Sequence, residues 1–221
     1  MPISSDIPFD VAAVAGCSVI TGFGAVFNTA KVKAGSSVAI IGIGGVGVNI
    51  VQSSFLANAT TIIAIDVLDK KLEIARQFGA THVVNASNED VLERITEITR
   101  GIGVDFAFEA LGRPETILSA FNMIRRGGSA VVVGVSHIQQ KVEIPVATLP
   151  VSEKNLLGCC YGSSVMSRDL ETIFDLYRSR RLKIEESITR RYSLDEINDG
   201  FAELKAGNNI RAVVTFYSDA P

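Results

Sequence analysis

Cysteine and histidine are scarce in this sequence. Of 221 residues, 3 are Cys (Cys17, Cys159, Cys160) and 2 are His. An odd, sparse cysteine set excludes a disulfide scaffold and fits a reducing compartment, so a cytoplasmic location is expected. Two histidines exclude a His-rich metal cage. Neither sign of charge dominates: the formal net charge is −3. That balance argues against a broad phosphate-binding face, and no nucleic-acid partner is expected. The sequence shows no apolar run near the ~18–20 residues that span a bilayer, and no basic-then-apolar leader. No membrane partner is expected.

What the sequence does have is a core and a cluster of glycines. The hydrophobic share is 47% and the charged share 20%, ordinary for a globular chain. Ser37–Ile41 is a short β-branched run with turn signals on both sides, which predicts a buried parallel strand. The alternation then repeats. Strands are predicted at 60–66, 82–85, 104–109 and 129–133, and helices at 69–78, after a capping box formed by Ser87 and Asp90, and from Pro114. This pattern predicts a doubly wound Rossmann-type α/β fold. Its sheet is mainly parallel and six-stranded, with helices on both faces and right-handed crossovers.

The flanking segments read differently. The first 30 residues predict helices broken by Gly16, Gly22 and Gly24. Val142–Pro145 and Asn155–Cys159 predict late or edge strands. Leu170, Ile173, Phe174 and Tyr177 stripe one helix. Ser193 and Glu196 predict a capping box for another helix, with Leu194, Ile197, Phe201 and Leu204 inward and Gly207 as its stop. Residues 211–216 predict a closing strand. The expected organisation is a linker with leading helices over 1–28, a dinucleotide-binding domain over 29–160, and a C-terminal segment over 161–221.

The glycines fall where a phosphate turn needs them. Gly42, Gly44 and Gly47 follow a strand and open a helix. Gly42 suits the tight turn, Gly44 a close backbone approach to pyrophosphate, and Gly47 close helix–strand packing. Asp66 ends the next strand at the spacing of a ribose-binding carboxylate. A carboxylate there accepts ribose hydroxyls and repels a 2′-phosphate. Val67 and Leu68 follow it with no Arg, so NAD is favoured over NADP. The same loop also admits a plain glycine turn, or a methyltransferase loop for S-adenosylmethionine.

Several stretches together resemble a known family. Gly16–Ala25, Asn28–Val32, Ile41–Gly47, Phe78–Thr81, Phe108–Glu109 with Gly112, Val133–Val135, Tyr192–Asn198, Gly200–Phe201 and Ile210–Arg211 occur in its order. They are similar to the zinc-dependent alcohol dehydrogenases of the medium-chain dehydrogenase/reductase superfamily. The branch most resembled holds glutathione-dependent formaldehyde dehydrogenases.

The resemblance implies roles. Cys17 corresponds to one catalytic-zinc ligand and Thr21 to a residue packed against nicotinamide. Gly44, Gly45, Val46 and Gly47 correspond to the phosphate turn, and Lys71 to a lysine at the adenosine ribose. Val133, Gly134 and Val135 correspond to the stretch whose backbone meets the nicotinamide amide, and Arg211 to an arginine at the pyrophosphate. It also implies a homodimer formed through late strands of the sheet, with residues 152–160 in that place.

Family members begin with a GroES-like catalytic domain that this sequence does not show. That domain carries the remaining zinc ligands, so one ligand of three is expected here. The chain is therefore expected to bind NAD without turnover and to expose apolar surface around Cys17 to Phe23. A free-standing NAD-binding module is the alternative.

Overall fold

The computed structural model describes residues 2–216. It opens with α1 (Phe9–Ala30), one uninterrupted 22-residue helix. Two of its turns, Ala15–Val19 and Ala25–Ala30, are wound as π-helix. Of the three glycines that suggest breaks, Gly22 and Gly24 serve close packing instead, while Gly16 has open space beside it. A Cβ on Gly22 would come within 2.6 Å of Asn49 Cβ, and one on Gly24 would strike the Gly162 carbonyl. A backbone that other segments approach this closely needs residues without side chains.

The length of α1 also corrects a sequence reading. By length and composition this helix is apolar enough to cross a bilayer, although 67% of its most apolar window is buried inside the protein. The sequence reading missed it because Gly, Ser and Thr dilute the run while leaving its mean apolar.

Strands β1 (Ser37–Ile41), β2 (Thr61–Asp66), β3 (His82–Asn85), β4 (Val104–Glu109), β5 (Ile124–Val132) and β6 (Asn155–Gly158) form one sheet in the order β3-β2-β1-β4-β5-β6. Every pair is parallel. Between them run α2 (Gly45–Leu56), α3 (Asp69–Gln77), α4 (Val91–Ile98), α5 (Pro114–Met123) and the short α6 (Thr148–Ser152). This is a Rossmann-type doubly wound fold, as the alternation predicts.

Alternate residues of each strand feed opposite cores. Val38 and Ile40 pack with Ile50, Val51 and Leu72 on one face. Ala39 and Ile41 pack with Ile95, Ala120 and Phe121 on the other. A third core joins α1 to α7 (Met166–Arg178), where Val11, Val19 and Ile20 meet Leu170, Ile173 and Phe174. Asn28 and Asp169 tie the same two helices at 3.0 Å.

A separate two-stranded parallel sheet holds β7 (Ile188–Tyr192) and β8 (Arg211–Val214), with α8 (Ile197–Lys205) between them. The Ser193–Glu196 capping box forms as predicted.

Four local expectations fail. Val142–Pro145 is not a strand. Its apolar signal is met by Ile144 resting on the second core, and Pro145 has no N–H to offer a ladder. Helix α4 is capped by Asp90 alone, whose carboxylate accepts the Glu93 N–H at 2.9 Å; Ser87 takes no part. Leu194, Phe201 and Leu204 are exposed rather than inward. Residues 18–23 are buried, with only Cys17 open beside them, because α2 and the turn at 161–163 cover them.

Candidate functional site: a dinucleotide crevice

Strand order reverses between β1 and β4, so the helices that follow them, α2 and α5, pack on opposite faces of the sheet. In doubly wound folds that is where a crevice opens for ligands. The glycine turn occupies it. Gly42 has φ +90°, and its N–H donates to the Ile65 carbonyl at 2.8 Å. That left-handed conformation strains any residue with a Cβ. Gly47 lies so close to the Gly42 carbonyl oxygen that a side chain would drive into it. The N-cap of α2 is Gly44, with no side chain satisfying the first helical N–H groups. Unpaired N–H groups at the positive end of a helix suit phosphate.

Asp66 stands across this turn, 8% exposed. Its Oδ2 accepts the Ile43 N–H at 2.8 Å, and its Oδ1 accepts the Val67 N–H at 2.8 Å and the Leu68 N–H at 3.2 Å. These bonds fix the carboxylate without using all of its acceptor capacity, about four lone-pair sites. Lys71 Nζ lies 3.8 Å from Oδ2. The structure therefore brings Gly42, Gly44, Gly47, Asp66 and Lys71 to one edge of the crevice.

Arg211, more than 160 residues downstream, reaches the same turn. Its stem occupies the space a Cβ on Gly45 would need. Its Nη2 lies 3.9 Å from Cys17 Sγ. Cys17 is exposed in the first π-turn of α1, where the neighbouring Gly16 carbonyl accepts the Tyr161 hydroxyl. Thr21, one turn on, is 8% exposed. Val133, Gly134 and Val135 continue from the end of β5. Val133 is buried, while Val135 is 93% exposed.

Three residues beside the turn had no role in the sequence reading. Glu109 is a fully buried carboxylate. Leu111 covers Gly42, so that a Cβ there would meet Leu111 Cδ2 at 2.6 Å. Gly112 interlocks with Gly134. An acid at a strand end followed by a glycine was the available signal, but nothing local marks which acid is buried.

A zinc ion is the other group the resemblance implies. Catalytic zinc takes three protein ligands and an open position. Among the described residues no group of three or more His, Cys, Asp or Glu gathers. Cys17 has a guanidinium as its neighbour. Cys159 is buried and Cys160 exposed, as adjacent extended residues facing opposite ways would be. The described residues do not by themselves fit a zinc ion.

The fold and the crevice thus define a Rossmann-type α/β protein with a glycine-rich turn between β1 and α2. Comparison with known proteins gives its family: the profile of the zinc-binding dehydrogenases matches residues 45–179. This chain belongs to that family.

Its relatives include an S-(hydroxymethyl)glutathione dehydrogenase of Paracoccus denitrificans, 35% identical over 97% of this chain and 59% of that protein. An NDMA-dependent alcohol dehydrogenase of Amycolatopsis methanolica is 33% identical over 96% of this chain and 58% of its own length. Among solved structures, benzyl alcohol dehydrogenase from Acinetobacter calcoaceticus superposes with a TM-score of 0.94 at 29% identity. The match covers 98% of this chain and 59% of that one. The chain spans a little under three-fifths of the length of these relatives.

Proposed function

We propose that this chain is the NAD-binding portion of a zinc-dependent alcohol dehydrogenase and binds NAD without oxidising alcohols on its own. One observation carries the reading. Positions 42, 45 and 47 of the Gly42–Gly47 turn are too crowded for a side chain, and the turn faces a carboxylate, Asp66, on one side and a guanidinium, Arg211, on the other. Phosphate fits the helix end and the guanidinium fork, and ribose hydroxyls fit the carboxylate. NAD, when bound, supplies a nicotinamide ring that accepts or returns hydride.

The chain's own residues bind and orient the cofactor. Gly44, Gly45, Val46 and Gly47 present backbone N–H groups. Lys71 flanks the ribose carboxylate. Thr21 and the Val133–Val135 stretch bound the nicotinamide side. Cys17 offers one sulfur toward a zinc site whose other ligands lie outside the described residues.

In this reading, residues 29–160 carry most of the cofactor seat. Residues 1–28 and 161–221 connect it to the catalytic part, and the protein is cytoplasmic. A homodimer forms through β6, the last strand of the sheet, whose residue Leu156 is exposed. Light scattering at micromolar concentration tests the dimer, and a monomer refutes it.

Calorimetric titration with NAD, NADP and S-adenosylmethionine tests the main reading. NAD should bind most tightly. Preference for S-adenosylmethionine overturns the cofactor assignment. Alcohol-dependent NADH formation by the pure, zinc-supplemented chain overturns the absence of turnover.

A further inference from the structure

Glu109 ends β4 at the point where the strand order reverses, opposite Ile41 of β1 and Val132 of β5. It is wholly buried, and among the described residues no cation pairs with it. Its partners are donors of the crevice wall. Oε1 accepts the Leu111 N–H at 2.9 Å, the Gly112 N–H at 2.8 Å and the Thr116 hydroxyl at 2.7 Å. Oε2 accepts the Gly112 N–H at 3.1 Å. Its main-chain carbonyl accepts the N–H groups of Val133 at 2.9 Å and Gly134 at 3.0 Å.

One residue therefore holds both loops that flank the crevice beyond the glycine turn. The loops are also locked to each other. Neither Gly112 nor Gly134 has room for a side chain against the other's loop, and Ser136 Oγ donates to the Gly112 carbonyl at 2.7 Å. Leu111, fixed by this carboxylate, rests on Gly42. A carboxylate accepting several N–H and O–H bonds out of water holds them more firmly than a neutral acceptor does.

We propose that Glu109 is a positioning residue of the cofactor crevice: its buried carboxylate sets the Leu111–Gly112 loop and, through it, the Val133–Val135 stretch that bounds the nicotinamide half of the dinucleotide. This rests on the NAD-binding reading above. The adenosine half, served by Asp66 and Lys71 on the far side of β1, does not depend on it.

The test is calorimetric titration of the full chain with NAD and, separately, with AMP. The wild type is compared with Glu109→Gln and with Thr116→Val, and melting temperatures are recorded. Thr116→Val removes one hydroxyl donor at a half-buried helix position and keeps the carboxylate. Glu109→Gln should weaken NAD about tenfold and Thr116→Val about threefold, with AMP affinity held within about twofold. A merely structural role would weaken NAD and AMP in parallel with a fall in melting temperature, and that overturns the proposal. So does unchanged NAD affinity in both variants. Failure of the wild type to bind NAD at all overturns the cofactor reading as well, and so is distinguishable from failure of the Glu109 role alone.

Discussion

Arg211 lies over Gly45, its side-chain stem filling the volume that any Cβ at position 45 would claim. The contact joins the last described strand to the first turn of α2. It makes two neighbouring glycines differ in kind. Position 45 is crowded by a side chain that can swing away, whereas position 47 is crowded by the Gly42 carbonyl, which cannot. Gly45→Ala should therefore keep the melting temperature and weaken NAD by displacing the guanidinium. Gly47→Ala should lose both, at a cost of about 1–3 kcal/mol for forced backbone movement. Paired thermal melts and NAD titrations check the contrast.

Asp66 holds the turn through Ile43 and faces Lys71. Asp66→Asn preserves the shape but removes the charge that repels a 2′-phosphate. NAD should weaken, and the NAD-to-NADP affinity ratio should fall about tenfold. Titration with both cofactors reads this directly. A ratio that stays unchanged would show that Asp66 does not set the preference.

Asp105 links β4 to the start of β1. Burial pushes its carboxyl up, but this is outweighed by hydrogen bonds from the Ser37 N–H and hydroxyl and from Arg125, so the group sits below its ordinary value. A depressed folded value means that the stabilisation is present above the unfolded pKa, about 3.9, and is lost as pH falls through the folded one. Asp105→Asn should melt roughly 2–4 °C lower than wild type at pH 7. The gap should narrow below about pH 4, where the wild-type carboxylate protonates too. Melting curves from pH 2.5 to 7 test the sign.

Ile173 is fully buried where α7 meets α1. Ile173→Ala should cost about 2–4 kcal/mol through a cavity that the two helices cannot close. It belongs to the α1–α7 core and not to the two cores that flank the sheet, so NAD affinity at 25 °C should be preserved. Urea unfolding and a titration on the same preparation separate the two effects.

Much of this architecture was legible in the sequence because its signals are local. Ser37–Ile41 is apolar throughout, Gly42 to Gly47 follow it at once, and Asp66 closes the next strand. Each feature depends only on neighbours along the chain. What escaped depends on distant partners. Gly22 and Gly24 look like helix breakers until Asn49 and Gly162 are seen pressing on them. Phe201 and Leu204 follow helical spacing, but no element among the described residues covers them, so the stripe predicts a face without saying what meets it. Cys17 and Arg211 were each legible only through family resemblance. Their 3.9 Å approach joins opposite ends of the chain.

The Gln52 side-chain amide holds Lys183 as a strand partner would, accepting from its main-chain N–H at 2.9 Å and donating to its carbonyl at 3.1 Å. Helix α2 is thus anchored to the C-terminal segment at Gln52, and it is overlaid by Arg211 at the end facing the phosphate turn. A cut after residue 160 would leave every glycine of the turn in place and remove both attachments. On the proposed NAD reading, a chain cut after residue 160 should therefore bind NAD more weakly than one that extends to Arg211 and beyond.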